Sequence, residues 1–307
     1  MIKLLHVNDY VVDTKNFKPL LNDSIVEEFE QSIANFVGAK YAVSLNSATS
    51  AIFLSLLEKD ITVSIPSIIP PVVANAIYTS GNRVTFHDDV DLVGGSYVLH
   101  DFGDYKIIDS AQKLEKHQFE IEANDKDLMI FSHYPTKPVG SSDGGMIVSN
   151  DKEKIDQLRV LSRNGNSLEK NSWERSIIQW GYKFYMNSIQ AYIANENFKK
   201  LDSKMEAMGK VKSIYNEAFN LNHTSYHLYR INVTDRDKFM SKMKEEEIQV
   251  GIHYRALHWV DCYSTFEDFE LPKSDIESET TVSLPYHELL TEKEVERVIQ
   301  KVKPYRC

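Results

Sequence analysis

Six short runs rich in β-branched and other apolar residues constrain this chain more than any other feature. They are YAVSLN at 41–46, ITVSI at 61–65, RVTFH at 83–87, YVLH at 97–100, KIID at 106–109 and LMIFS at 128–132. Their content is mostly apolar, so both faces of such strands need cover, and a helical segment, SAIFLSLLE, stands between the first two. This pattern predicts an α/β architecture with a largely parallel central sheet. At 307 residues and 42% hydrophobic content the chain can bury a large domain and a smaller one.

Helix signals punctuate the strands. Ser24 and Glu27 have capping-box spacing, and Ile25, Phe29, Ile33 and Phe36 then share one helical face before Gly38. A helix from about Lys152, capped by Asn150 or Asp151, carries Ile155, Leu158 and Leu161 and leads to a polar surface loop, SRNGNSLEKNS. One helical stretch is expected from about Asn187 to Met208. Beyond it, strand YHLYRINV, a helix from Asp235 to about Glu246 and strand IQVGIHY make a β-α-β unit, closed by a helix with the Thr291–Glu294 capping box. The expected division is a large domain over 1–208 and a small α+β domain over 209–307.

Charge and cysteine content exclude several functions. A formal net charge of -10 supplies no basic field for a phosphate backbone, so nucleic acid is not an expected partner. The two cysteines, Cys262 and Cys307, suit neither a metal cluster nor a secreted disulfide framework. The first residues, MIKLLHVNDYVVD, lack a signal peptide's apolar stretch, and no segment has the length to span a bilayer. A cytoplasmic protein without a membrane partner is expected.

Four local signals fall at strand ends, where open α/β sheets place ligands. Asn46-Ser47-Ala48-Thr49 opens a helix after a strand, which suits a phosphate, although a plain N-cap looks the same. Asp109 ends an apolar strand, where a buried carboxylate needs a cation such as a protonated ring nitrogen, or else caps a turn. Lys137 follows Phe131-Ser132-His133-Tyr134-Pro135-Thr136 and precedes Asp143-Gly144-Gly145; held out of water, it could form an imine, while on a loop it is ordinarily solvated. His253-Tyr254, in the small domain, reads equally as packing.

Taken in order, these segments resemble the DegT-type nucleotide-sugar aminotransferases. The resemblance runs from about Val26 to Lys301, through VEEFEQSIANFVGAKYAVSLNSATSA, IIDSAQ, FSHYPTK, DGGMIVSND, GYKFYMNSIQAYI, VGIHYRALH and LPYHELLTEKEVERVI. It implies the aspartate-aminotransferase-like, type I fold and the cofactor pyridoxal 5'-phosphate (PLP). By that resemblance Lys137 is the Schiff-base lysine and Asp109 holds the ring nitrogen protonated. Gln112 contacts the ring hydroxyl, and Ala48, Thr49 and Ser132 hold the phosphate. The implied reaction moves an amino group from glutamate to a nucleotide-linked keto-sugar in a homodimer, with His253-Tyr254 closing the site.

Three departures accompany the resemblance. Pro70 stands where the family has an aromatic residue over the cofactor ring. Lys183 replaces an asparagine that reaches the phosphate bound by the neighbouring subunit; it either supplies a charge there or is solvated. The chain is also short between Asp88 and Asp109. Only 101–105 separate YVLH from KIID, too few for a parallel crossover, so the two strands form a tight turn or one of them leaves the sheet. Two alternatives follow: a sugar dehydratase of the same fold, against which Lys137 counts because such enzymes carry histidine there, and a relative that binds a sugar nucleotide or a partner without turnover.

Overall fold

The computed structural model describes residues 1–13, 15, 24–169, 173–263 and 270–306. Cys307 and part of the expected surface loop, 170–172, lie outside them. The first unit opens with α1 (Ser24–Val37), β1 (Tyr41–Leu45), α2 (Ala48–Ser55), β2 (Thr62–Pro66), α3 (Pro71–Thr79) and β3 (Arg83–His87). It continues through β4 (Tyr97–Asp101), β5 (Lys106–Asp109), α4 (Gln118–Glu122), β6 (Leu128–Ser132), β7 (Gly145–Ser149), α5 (Lys152–Ser162) and α6 (Ser188–Phe198). Then come α7 (Leu201–Phe219), β8 (Tyr229–Asn232), α8 (Arg236–Glu245), α9 (Pro272–Thr280), β9 (Thr281–Leu284) and α10 (Glu292–Val302).

The central sheet has the order β1-β7-β6-β5-β4. Its strands β1, β7 and β6 are buried on both faces, as expected, while the edge strand β4 buries only Leu99. Leu128 and Ile130 of β6 pack into a cluster with α2, α3 and α5, while Met129 and Phe131 face a second cluster with α1 and α6. The direction of the strands corrects the expectation of a largely parallel sheet. Only β5 and β6 pair in parallel; β1/β7, β7/β6 and β5/β4 are antiparallel. The parallel pair β2/β3 stands apart as its own two-stranded ladder. Burial on both faces yields the same apolar run in either direction, and the connections decide. A turn over 102–105 returns β4 on itself into β5, the tight-turn alternative, with Phe102 donating to the Tyr105 carbonyl at 2.9 Å. A helix-free connection over 133–144 turns β6 into β7, and it carries Lys137.

The stretch from 187 to 208 is two helices rather than one. Asn187 caps α6 in a capping box with Gln190, and α7 begins anew after Lys200. Core membership changes within α7: Leu201 and Met205 belong with the sheet, Met208, Val211, Tyr215 and Phe219 with β8, α8, β9 and α10. Ile2 joins that C-terminal cluster, fixed by its amide donating to the Glu247 carbonyl and its own carbonyl accepting from Gln249.

The C-terminal strand pairing is also corrected. The ladder partner of β8 is β9, antiparallel, whereas residues 248–254 contribute only isolated bridges at Ile248 and Gly251. Gly251 exchanges both hydrogen bonds with Ser283. The chain then peels away from β9, and His253 and Tyr254 reach a cavity wall. The Thr291–Glu294 capping box is formed at the start of α10, and Asp151 caps α5.

Candidate active site

The carboxyl ends of β1, β2, β5 and β6 open onto one cavity of about 430 Å³ that the C-terminal unit covers with His227, Leu228, His253 and Tyr254. Six of the seven residues expected to hold the cofactor, Ala48, Thr49, Asp109, Gln112, Ser132 and Lys137, line it.

One end is the start of α2. Ser47 caps the helix, its hydroxyl accepting from the Ser50 amide at 3.1 Å, and Ala48 and Thr49, in the first turn whose amides suit an anion, line the cavity. Backbone packing sets this position. Gly145 of β7 pairs with Leu45, and a Cβ built on it would lie 2.4 Å from the Ala48 nitrogen. Only glycine lets the helix start approach the sheet so closely.

Asp109 ends β5 with 4% of its surface exposed. One carboxylate oxygen accepts from the Ala111 amide at 2.9 Å and the other from the Tyr97 hydroxyl at 2.8 Å. Burial raises its pKa above the ordinary aspartate value, opposed by these two bonds and by the Lys137 charge. Gln112, three residues on, accepts from the Gly94 amide at 2.8 Å and so ties the cavity wall to the segment before β4. The Ser132 hydroxyl accepts from the Tyr134 amide at 3.3 Å.

Lys137 sits in a turn closed by its amide donating to the Tyr134 carbonyl at 2.9 Å. Its side chain is buried, and burial lowers its pKa to about 8, against the pull of Asp109. Its Nζ lies 3.0 Å from His227 Nε2. At neutral pH this amine is deprotonated far more often than a solvated lysine, which an imine-forming group requires.

Pro70 lies on the wall as the residue preceding α3. The loop that carries it is anchored to the C-terminal unit: Ser67 Oγ lies 2.6 Å from His258 Nδ1, and His258 Nε2 lies 3.0 Å from Asp275. Ser67 is fully buried, so this serine, histidine and aspartate act as a strut and present no nucleophile. His133 is likewise structural. It is buried, edge-on to Phe29, with Nδ1 2.9 Å from the Val139 carbonyl.

Lys183 is not on the cavity of its own chain. It is exposed, in an isolated bridge with Arg163. Two residues that sequence reasoning passed over complete the site. Tyr97 was visible only as part of a strand, and its pairing with Asp109 depends on the register of the β4–β5 hairpin. His227 was visible only as a polar residue inside an apolar run, and its partner is 90 positions away.

These features define an α/β enzyme with an imine-competent lysine, a buried acid and a phosphate-suited helix start around one cavity. The chemistry of this donor set fits PLP. Asp109 is buried with only neutral donors bonded to it, so a cationic ring nitrogen would match its charge, and its oxygens retain lone pairs for that contact.

Comparison with known proteins agrees. The model of the DegT/DnrJ/EryC1/StrS aminotransferase family matches residues 6–93 and 109–303, and the chain belongs to that family. It is an aminotransferase. The match breaks over the short stretch that carries β4 and its turn. The UDP-4-amino-4,6-dideoxy-N-acetyl-beta-L-altrosamine transaminase of Campylobacter jejuni is 26% identical, with all of both chains covered. The aminotransferase TlmJ of Streptoalloteichus hindustanus superposes with a TM-score of 0.81 over 99% of this chain and 98% of that one, at 21% identity. Helicobacter pylori PseC, an aminotransferase involved in the biosynthesis of pseudoaminic acid, gives 0.79 over 98% and 99%, at 18% identity. Among the described residues no helix is long and apolar enough to cross a membrane.

Proposed function

We propose that this sugar aminotransferase works with PLP held by Lys137, taking the amino group from glutamate and giving it to a nucleotide-linked keto-sugar. The observation that carries this reading is the buried Lys137 amine, facing the same cavity as Asp109 and the start of α2. Once bound, the cofactor supplies an electron sink that lets a donor carbon lose its proton. The chain's own residues do the rest. Lys137 anchors the cofactor and, when free, moves the proton; Asp109 pairs with the ring nitrogen and keeps it protonated. Gln112 contacts the ring hydroxyl, while the Ala48 and Thr49 amides and the Ser132 hydroxyl hold the phosphate. Pro70 covers the ring face, and His253 and Tyr254 close the cavity over the sugar.

The acceptor class rests on the family and on the altrosamine transaminase likeness; a homodimer is inferred with it. Lys183 is exposed and off its own cavity, and in this reading it meets the phosphate bound by a second subunit. The division into a large domain over 1–208 and a small one over 209–307 fits a cavity between a sheet and a cover. Lys137→Ala should abolish both transamination of a nucleotide-sugar panel and the visible absorbance that the wild type gains with PLP. Retention of both refutes the assignment.

A further inference from the structure

The Lys137 amine has a partner that the reading above does not use. His227 lies just before β8, in the C-terminal unit, and is 4% exposed, yet its Nε2 reaches to 3.0 Å of Lys137 Nζ on the β6–β7 connection. Its own position is fixed from below, where its amide donates to Ser225 Oγ at 3.0 Å. We propose that His227 is a positioning residue for Lys137: its unprotonated Nε2 accepts a hydrogen bond from the amine and holds it in the cavity whenever that amine is not bonded to the cofactor. This inference rests on the reading of Lys137 as the Schiff-base lysine.

The surroundings decide which form of His227 is present. Burial is the main force against an imidazolium, and Lys137, His253 and Lys204 of α7 act in the same direction; the Thr136 backbone opposes them. The ring is therefore neutral, and in the proposed arrangement Nε2 accepts while the proton sits on the buried Nδ1, which has the Thr136 backbone nearby but makes no hydrogen bond of its own among the described residues. Lys204 also lies 3.4 Å from the Lys137 carbonyl, adding a second cation behind the turn.

A neutral acceptor is the suitable choice here. A carboxylate at the same distance would favour the ammonium and raise the lysine pKa by about one to three units, undoing what burial achieves. Imidazole directs the amine and leaves it free to lose its proton. A freed lysine otherwise spreads over many rotamers, most of which miss the reacting carbon. No covalent bond is made or broken at His227. Asp109, across the cavity, raises the Lys137 pKa, so the amine lies between a charge that favours its protonation and an acceptor that orients it.

The test uses the full chain freed of cofactor, with PLP itself as the probe. Borohydride reduction after PLP addition, followed by peptide mass mapping, should place the label on Lys137. A label elsewhere overturns the Schiff-base reading and this inference with it. With that established, the rate of PLP capture against pH should show a midpoint near 8 in the wild type. In His227→Leu the high-pH plateau should fall about tenfold, and the midpoint should move lower because the ammonium has lost an acceptor. His227→Gln, which returns an acceptor near the Nε2 position, should restore both. His227→Asn, too short to reach, should behave like His227→Leu and replaces it if the leucine variant does not fold. Equal behaviour of the glutamine variant and the leucine or asparagine variant, or a plateau and midpoint unchanged from wild type, overturns the proposal.

Discussion

Gly145→Ala should damage cofactor binding without touching a group that contacts the cofactor. The new methyl would meet the Ala48 nitrogen and the Ser47 carbonyl group at 2.4 Å, and both are backbone, so neither can swing aside. Reaching even 3.0 Å requires a retreat of about 0.6 Å, and an unstrained 3.4 Å requires about 1.0 Å. Either the start of α2 moves or β7 does, and β7 is held on both sides by β1 and β6. Overpacking of this kind costs about 1–3 kcal/mol of stability. The helix start is also the inferred phosphate seat. Losing one charge-assisted hydrogen bond there costs about 1.5–3 kcal/mol, or about ten- to a hundredfold in PLP affinity. Gly209→Ala is the control. It lies within α7, and its Cβ would find only the Tyr226 hydroxyl at 3.7 Å and a ring carbon at 3.9 Å, so the alanine should stabilise by about 0.5–1 kcal/mol through helix propensity alone. Denaturant unfolding and fluorescence titration with PLP measure the two quantities. A Gly145→Ala protein with wild-type stability and PLP affinity would refute the close approach.

Further outcomes follow from the same geometry. Tyr97→Phe removes a donor from a buried carboxylate, so the Asp109 pKa, already raised, should rise further; carboxyl carbon NMR of the cofactor-free protein reads the shift, and a fall contradicts the contact. His133 is held at a pKa of about 4 by burial, against 6.5 in the unfolded chain. The unfolded state therefore binds more protons between those values, and stability falls by about 3 kcal/mol as pH drops from 6.5 to 4 on this group's account. His133→Asn should flatten that slope in denaturant titrations, and an unchanged slope rules His133 out as its source. Glu30→Gln should destabilise by about 3–5 kcal/mol, because Arg159, bonded to both Glu30 oxygens at 3.0 and 2.8 Å, keeps its buried charge. A loss under 1 kcal/mol in urea unfolding would show that Arg159 finds water.

What the sequence disclosed follows from how local each signal is. Strands covered on both faces, such as Leu128–Ser132, announce themselves in a few residues, and the Thr291–Glu294 capping box is complete within four. Asp109, Lys137 and the Ala48-Thr49 turn were each ambiguous alone and became legible as an ordered set at strand ends. Strand direction was hidden because two-sided burial erases it, and residues 251–254 looked like a strand until the pairing at Ser283 gave out. Tyr97 and His227 were hidden for a different reason. The value of each lies in one atom's distance to a partner on another segment, and no periodicity encodes that.

The hairpin that stands in for a crossover gives the turn between β4 and β5 an unusual burden. Tyr97 and Asp109 are directly opposed across its ladder, and an irregularity between Val98 and His100 sets the alignment. Deleting or inserting one residue in 102–105 would slide one strand past the other, and a slip of a single position sends every second side chain to the opposite face. The tyrosine and the acid would then no longer point together into the cavity. Loop length here is thus a setting of the chemistry, in a part of the chain where loop length is ordinarily free to drift.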